Sequence, residues 1–242
     1  MTRRNIFARA FNKATRPIFN LLNIDDVTYE KILRRRDLQW IGSDYGGWVV
    51  PKDLLNEDSV CYCVGCGEDV TFDLGLIDEF GCHVYGFDPT PRAIKHVREH
   101  AKQYSKYHFS EVGLWDKEDS IKFFAPRNYK HVSHSALNLQ QTEHFFEARV
   151  DRLLNIMRRN KHTKLDLLKL DIEGAEYKVV ASIVEDRVDI KILCIEYDEC
   201  FNALDKKYKN RIKSSVNTIL EFGYSLVCAQ GNGNYTFVKN AS

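Results

Sequence analysis

The sequence contains no hydrophobic run long enough to cross a membrane as a helix, and no secretory signal precedes its first polar residues. Charge of one sign is also lacking, because 35 lysines and arginines nearly balance 34 acids and leave a net charge of +1. Such a balance gives no general attraction to nucleic acid. With no internal repeat, the 242 residues predict a globular, cytoplasmic protein with no nucleic-acid partner.

A disulfide framework is missing as well. The seven cysteines are irregularly spaced, and several lie in apolar runs where a free thiol behaves as a small hydrophobe. Cys63 and Cys66 have the spacing of half a zinc site, but no second pair of ligands follows at a suitable distance. The sequence therefore predicts free thiols, a reducing compartment and no zinc.

Residues 1–58 form a region of different character from the rest. The first 24 residues contain five basic side chains and no acid, and their apolar residues fall on one helical face. A second helix is predicted over Val27 to Arg36, followed by a glycine-containing loop. We expect a basic amphipathic helix and a helical cap, which either packs on the core or a second copy, contacts a membrane surface peripherally through residues 1–24, or acts as a presequence. The oligomeric state is left open.

Residues 59–242 alternate between short apolar strands and helices. This order predicts an α/β fold with a doubly wound, mostly parallel sheet. The last two strands, Tyr224 to Ala229 and Asn234 to Lys239, are joined by a short Gly/Asn linker and must form an antiparallel hairpin. A helix over Val150 to Arg159 and an extra strand over Ile121 to Ala125 are also predicted.

A glycine loop follows the first strand of this region and opens a helix, as in sites where backbone approaches a nucleotide-like cofactor. Asp88 ends the next strand 23 residues after Gly65, at what we expect to be a solvent-facing tip where it accepts hydrogen bonds from ribose hydroxyls. A tight turn without a ligand, and a capping role for Asp88, are the structural alternatives. The end of the third strand, at Val112 and Gly113, is expected to flank the base.

The segment LDLLKLDIEGAE, residues 165–176, joins a buried strand to three acids. Carboxylates at the end of a parallel strand are costly unless a ligand uses them. With the glycine loop, they complete the candidate cofactor-binding residues: Gly65, Cys66, Gly67, Glu68, Asp88, Pro89, Val112, Gly113 and Asp171.

This combination resembles the FkbM family of class I methyltransferases, which use S-adenosylmethionine (AdoMet). Leu168 to Glu176 is similar to the family's K-I-D-V-E-G-A-E signature, and Phe87-Asp88-Pro89 and the serine-rich Ser133 to Leu137 support the match. The resemblance implies a seven-stranded Rossmann-like methyltransferase sheet, AdoMet as cofactor, and O-methylation of a hydroxyl on a sugar or glycan-like small molecule. Asp69 stands where the family usually has a third glycine.

Other functions stay open at this point. N-methylation of a small molecule or protein, a non-catalytic AdoMet-fold scaffold, and a dinucleotide-dependent oxidoreductase are the alternatives, the last disfavoured by the terminal hairpin. Methyl transfer to a hydroxyl needs a base or a metal. The candidate catalytic residues are Asp171, Glu173, His134 and Asp198, with His131 and Glu196 also considered.

A divalent metal bridging the acids at the ends of the fourth and fifth strands is possible but not favoured, because these acids lack a characteristic ligand spacing. Glu176 is expected to face solvent or to cap the next helix.

Overall fold

The computed structural model describes residues 24–127, 134–138, 140–230 and 233–241. The predicted N-terminal helix, apart from Ile24, and the candidate base His131 lie outside the described residues. No helix within the described ranges is long and apolar enough to cross a membrane.

Twelve strands and five helices form the described part of the chain, with two short 3-10 turns at Lys52–Leu54 and Asp198–Cys200. In chain order they are β1 (Leu38–Ile41), β2 (Trp48–Pro51), β3 (Val60–Val64), α1 (Thr71–Phe80), β4 (His83–Phe87), α2 (Pro91–His100), β5 (Tyr107–Ser110), β6 (Gly113–Leu114), β7 (Asp119–Phe124), β8 (Phe145–Asp151), α3 (Leu153–Arg159), β9 (Leu165–Leu170), α4 (Glu176–Glu185), β10 (Ile190–Glu196), α5 (Tyr208–Glu221), β11 (Tyr224–Gln230) and β12 (Asn234–Lys239).

Seven strands make the central sheet, in the order β11-β12-β10-β9-β3-β4-β5. Strands β10, β9, β3, β4 and β5 are parallel to one another, whereas β12 runs antiparallel to both β10 and β11. The predicted mostly parallel, seven-stranded sheet with a C-terminal antiparallel hairpin is therefore confirmed. Because five strands run in one direction, their carboxyl ends lie along one edge, where α/β folds bind ligands.

The core lies on both faces of this sheet. All six residues of β9 are buried, as expected for a central parallel strand covered on both sides. One face packs against α4 and α5 through residues such as Leu168, Val179 and Val216. The other face packs against α1 and the β1–β2 pair through residues such as Phe72 and Trp48.

The predicted helix over Val27 to Arg36 is wrong, and so is the helical cap that it was to form. Asp25 Oδ2 accepts hydrogen bonds from the Thr28 amide at 2.6 Å and the Thr28 hydroxyl at 2.7 Å, and Tyr29 has a positive φ of 63°. This local turn offers the backbone an alternative to helix. The Leu33 amide then donates to the Leu226 carbonyl at 2.7 Å, so the segment lies along the central sheet.

Two further differences concern strands. The loop predicted around Gly42 to Gly47 is the turn of an antiparallel hairpin, β1–β2. Val150 and Asp151 belong to β8 rather than to a helix, and only Leu153 to Arg159 is helical. Strand β8 joins β6 and β7 in a small three-stranded sheet, in which β7 is the predicted extra strand.

Candidate active site

A cavity of about 670 Å³ opens at the carboxyl-terminal edge of the central sheet, within the size range of small-molecule sites. The glycine loop after β3 and the end of β4 form one wall. The loops after β9 and β10 form the other wall, and the β1–β2 turn contributes to the rim. The strand ends that the sequence marked as candidate sites therefore meet around one cavity.

Gly65 is required by the packing of two strands. Its φ is +83°, and a Cβ at this position would lie 1.7 Å from the Asp171 carbonyl oxygen. The Gly65 amide donates to the Phe87 carbonyl at 2.9 Å, and its own carbonyl accepts from Lys169 Nζ at 2.7 Å. No other residue type fits here without moving the backbone. Gly67, by contrast, has open space where a Cβ would be.

Asp88 organises the glycine loop, and the expectation that it faces solvent is wrong because only 6% of the residue is exposed. Its Oδ2 accepts the amides of Cys66 and Gly67, both at 2.9 Å, and its Oδ1 accepts the Thr90 amide at 2.8 Å. Burial raises its pKa, while these amide bonds oppose that change. The Thr90 side chain also hydrogen-bonds this carboxylate, so Asp88 holds the glycine loop and the start of α2 together at the cavity wall.

Not all of the other predicted cofactor residues line the cavity. Pro89 and Gly113 line the cavity, whereas Val112 packs against the main core and its place in the wall is taken by Leu114. Glu68 lines the cavity, but its carboxylate is paired with Arg92 at 2.6 Å.

The loop after β9 has an unusual backbone. Glu173, a non-glycine residue, has a φ of 54°, and the following Gly174 has a φ of 101°. A left-handed glutamate is uncommon and persists where the surroundings hold it. Here the Ser135 hydroxyl donates to the Glu173 carbonyl, and Glu176 Oε1 accepts the Gly174 amide at 3.0 Å. Ser135 and Glu176 thus fix the turn that presents Glu173.

The acids of the two loops converge. One carboxylate oxygen from each of Asp171, Glu173 and Asp198 lies within 4.8 Å of the others, and Glu196 is beside Asp171. Burial raises the pKa of Glu196 to about 9, and the charge of Asp171 adds to this effect. Burial also raises the pKa of Asp198 well above its ordinary range, with further contributions from Glu173 and Glu176.

Two residues near this cluster differ from what the sequence indicated. Glu176 is fully buried rather than facing solvent, and burial raises its pKa to about 8. Lys169, to which no role was assigned, is buried in β9 with Nζ 3.2 Å from Asp171 Oδ2. Burial opposes its charge, but the carboxylates of Asp171 and Asp73 outweigh burial and raise its pKa. A lysine within an otherwise apolar strand was the available signal.

The rim of the cavity carries residues that the sequence did not identify. Tyr45 is 88% exposed at the tip of the β1–β2 turn, and Phe201 is 57% exposed after the Asp198–Cys200 turn. The Ser43 hydroxyl bonds Asp69 Oδ2 at 2.5 Å, which ties the β1–β2 turn to the glycine loop. Asp69 Oδ1 also accepts the Thr71 amide at 2.9 Å, just before α1.

His134 lines the same cavity, and its ring makes an edge contact with Phe146 at 5.1 Å between centroids. The structure therefore brings all four candidate catalytic residues, Asp171, Glu173, His134 and Asp198, to one cavity. Their individual roles remain predictions.

A comparison with protein families agrees with the position of this cavity. Residues 62–225 match the methyltransferase FkbM domain, which covers most of the sheet and both walls of the cavity. The chain belongs to the FkbM methyltransferase family. Its domain is accordingly an AdoMet-dependent methyltransferase domain with a Rossmann-like fold.

Individual relatives are distant. The human probable methyltransferase-like protein 24 is 25% identical over 136 residues, which are 56% of this chain and 31% of that protein. The chain thus aligns with about a third of the length of this relative. Fibrillarin from Methanococcus jannaschii is 10% identical, with a TM-score of 0.45 over 77% of this chain and 69% of that chain. Aeropyrum pernix fibrillarin with bound AdoMet is 8% identical, with a TM-score of 0.41 over 88% and 86%.

The residues that line the cavity suit AdoMet. The close approach of backbone at Gly65, the open space above Gly67 and the Asp88 carboxylate in the cavity wall suit a ligand with a ribose and an amino-acid end. Gly113 and Leu114 lie where the base of the cofactor is expected.

All seven cysteines are free thiols, as predicted.

Proposed function

We propose that the protein is an enzyme that O-methylates a hydroxyl group on a sugar or glycan-like small molecule. The observation that carries the proposal is the chemistry of the rim. The exposed residues Tyr45 and Phe201 line the same cavity as the acids, together with Gln140 and Asn202. Aromatic rings stack on the apolar faces of sugars, and carboxylates and amides hydrogen-bond their hydroxyls.

When bound, AdoMet supplies an electrophilic methyl group on a sulfonium. The loop at Gly65 to Gly67, Asp88 and Gly113 would hold this cofactor against the first wall of the cavity. The second wall, at Asp171, Glu173 and Asp198, would then face the acceptor. The protein's task is to align the hydroxyl with the methyl group and to keep water out.

Proton removal is the second requirement for a hydroxyl nucleophile. The group formed by Asp171, Glu173 and Asp198 lies at the acceptor wall and can take up this proton as a unit. His134, on the same cavity, is the alternative base. A carboxylate cluster of this kind suits an acceptor with several hydroxyls, because it can orient them. A neutral amine acceptor needs no comparable group.

Methyl-labelled AdoMet incubated with a panel of saccharides, amines and peptides tests this proposal. Mass spectrometry should locate the label on oxygen of a saccharide. Labelling of amines or peptides alone would overturn the acceptor class in favour of N-methylation, and no labelled product from any acceptor would favour a scaffold.

A variant of the rim sharpens the test. Phe201→Ala should raise the KM for the acceptor about ten-fold, in line with the loss of one aromatic contact worth about 1 kcal/mol or slightly more. It should leave S-adenosylhomocysteine binding unchanged. Leu204→Ala is the matched control, because Leu204 is similarly exposed but does not line the cavity. Equal KM values in the two variants would contradict the placement of the acceptor.

We also propose that the protein works in the reducing cytoplasm, in keeping with its free thiols.

We further propose that its basic residues 1–24 contact anionic membrane surfaces. Co-sedimentation with anionic vesicles that falls as salt rises would support the contact. Co-sedimentation that is unchanged on deletion of residues 1–16 would contradict it.

A further inference from the structure

Among the residues that the structure describes, little positive charge lines the cavity beside the acid cluster at the acceptor wall. Lys169 is the only lysine or arginine among the described residues that line the cavity, and its ammonium is already shared between Asp171 and the Gly65 carbonyl. Asp171, Glu173, Glu196 and Asp198 all face the same space. Carboxylates this close repel unless protons or a cation lie between them.

Two buried oxygen atoms of residues that line the cavity have no hydrogen-bond partner among the described residues. They are Asp198 Oδ2 and Asn234 Oδ1, and both are hidden from solvent. Their residues are only 5% and 9% exposed, respectively. Unpaired polar atoms are costly in such surroundings, so each indicates a partner that the described residues do not supply.

Strand pairing explains why Asn234 belongs to this cluster. Glu196, the last residue of β10, pairs directly with Asn234, the first residue of β12. Directly paired residues of antiparallel strands project to the same face of a sheet. On the other side of β10, Ile195 pairs with Leu170, so Glu196 and Asp171 are the next residues of two parallel neighbours. Asn234, Glu196 and Asp171 thus lie side by side at the same edge of three adjacent strands.

We propose that Asp171, Glu173, Asp198 and Asn234 bind one divalent cation of the Mg²⁺ or Mn²⁺ type. Three carboxylates and an amide oxygen form the all-oxygen set that these hard ions prefer. Glu173 has a positive φ of 54°, and one of its carboxylate oxygens lies within 4.8 Å of an oxygen of Asp171 and one of Asp198. Cation binding itself is independent of the acceptor.

A chemical consequence rests on the proposed function. A cation at this wall would bind a hydroxyl of the acceptor and lower its pKa, which supplies the activation that O-methylation requires. The ligands come from the ends of three strands, so no spacing within one segment reveals them.

Mn²⁺ alone, titrated into the full-length protein and followed by electron paramagnetic resonance, tests the site. The wild type should bind one ion per chain, and Mg²⁺ should displace it. Asp198→Asn and Asn234→Leu should each weaken Mn²⁺ binding at least ten-fold. Glu221→Gln, an exposed acid at the end of α5, is the matched control and should bind as the wild type does.

Asn234→Asp distinguishes a cation site from carboxylates that only share protons. A cation site should retain or tighten Mn²⁺ binding in this variant, because the new carboxylate remains a ligand. The absence of stoichiometric binding to the wild type would overturn the proposal, and so would equal affinities of the wild type and Asn234→Leu. Circular dichroism shows whether each variant folds. If Asp198→Asn does not fold, the comparison of Asn234→Leu with Asn234→Asp tests the cation site.

S-adenosylhomocysteine binding is measured on the same samples. Intact cofactor binding without Mn²⁺ binding would overturn the cation site and leave the methyltransferase intact. Mn²⁺ binding without saccharide methylation would overturn only the proposed acceptor.

Discussion

Replacement of Asp88 by alanine tests how the glycine loop is built. The change leaves three backbone amides, at Cys66, Gly67 and Thr90, without their acceptor. Hydrogen bonds to a charged group contribute about 1.5–3 kcal/mol each, but removal of a buried carboxylate recovers part of this through its desolvation. We expect the free energy of unfolding to fall by about 2–4 kcal/mol.

The same substitution should weaken S-adenosylhomocysteine at least ten-fold, which corresponds to about 1.4 kcal/mol. Both losses are expected because the carboxylate holds the glycine loop in the shape that lines the cavity. Urea unfolding and calorimetric titration measure them separately. Asp58→Ala, an exposed aspartate just before β3, is the control and should change neither. Wild-type stability and wild-type affinity in Asp88→Ala would refute the reasoning.

Two further predictions concern backbone and charge. Gly65→Ala should abolish cofactor binding and lower the free energy of unfolding by about 3 kcal/mol or more, because its Cβ would meet the Asp171 carbonyl. Gly223→Ala has a similar positive φ but no clash, so an equal loss in this control would contradict the account. Asp151 is buried and bonded by Asn155 and Arg159, which hold its pKa below 3.8 against the effect of burial. Its stabilisation should therefore be complete above the unfolded-state pKa and lost as pH falls through the lowered folded-state pKa. Urea unfolding from pH 6 to about pH 2 should show a shallower acid loss in Asp151→Asn than in the wild type, and parallel curves would contradict this.

The central sheet was predictable because its signals are local. Strand β9 reads as a continuous apolar run, and the Gly/Asn linker before Asn234 specifies a hairpin. The failed helix over Val27 to Arg36 shows the limit of periodicity, because the Asp25 side chain captures the backbone of Thr28 and forms a turn instead. Strand β8 was missed because it alternates between exposed and half-buried residues in a small separate sheet.

The candidate site divides in the same way. Gly65, Asp88 and Asp171 were found from the sequence because each directly follows or ends a recognisable strand. Asn234 and Tyr45 were not, because their places depend on pairing between strands far apart in the chain or on a turn packed across the sheet edge. The burial of Asp88 was also hidden, since the loop amides that enclose it lie more than twenty residues away.

Calorimetric titration of the full-length protein with S-adenosylhomocysteine is the most direct test of the central claim that the cavity at the carboxyl edge of the sheet holds AdoMet. The account predicts saturable binding of one molecule per chain, with a rise in melting temperature, and loss of both in Gly65→Ala. A wild-type protein that shows no binding heat and no melting shift, or a Gly65→Ala variant that binds as well as the wild type, would contradict it.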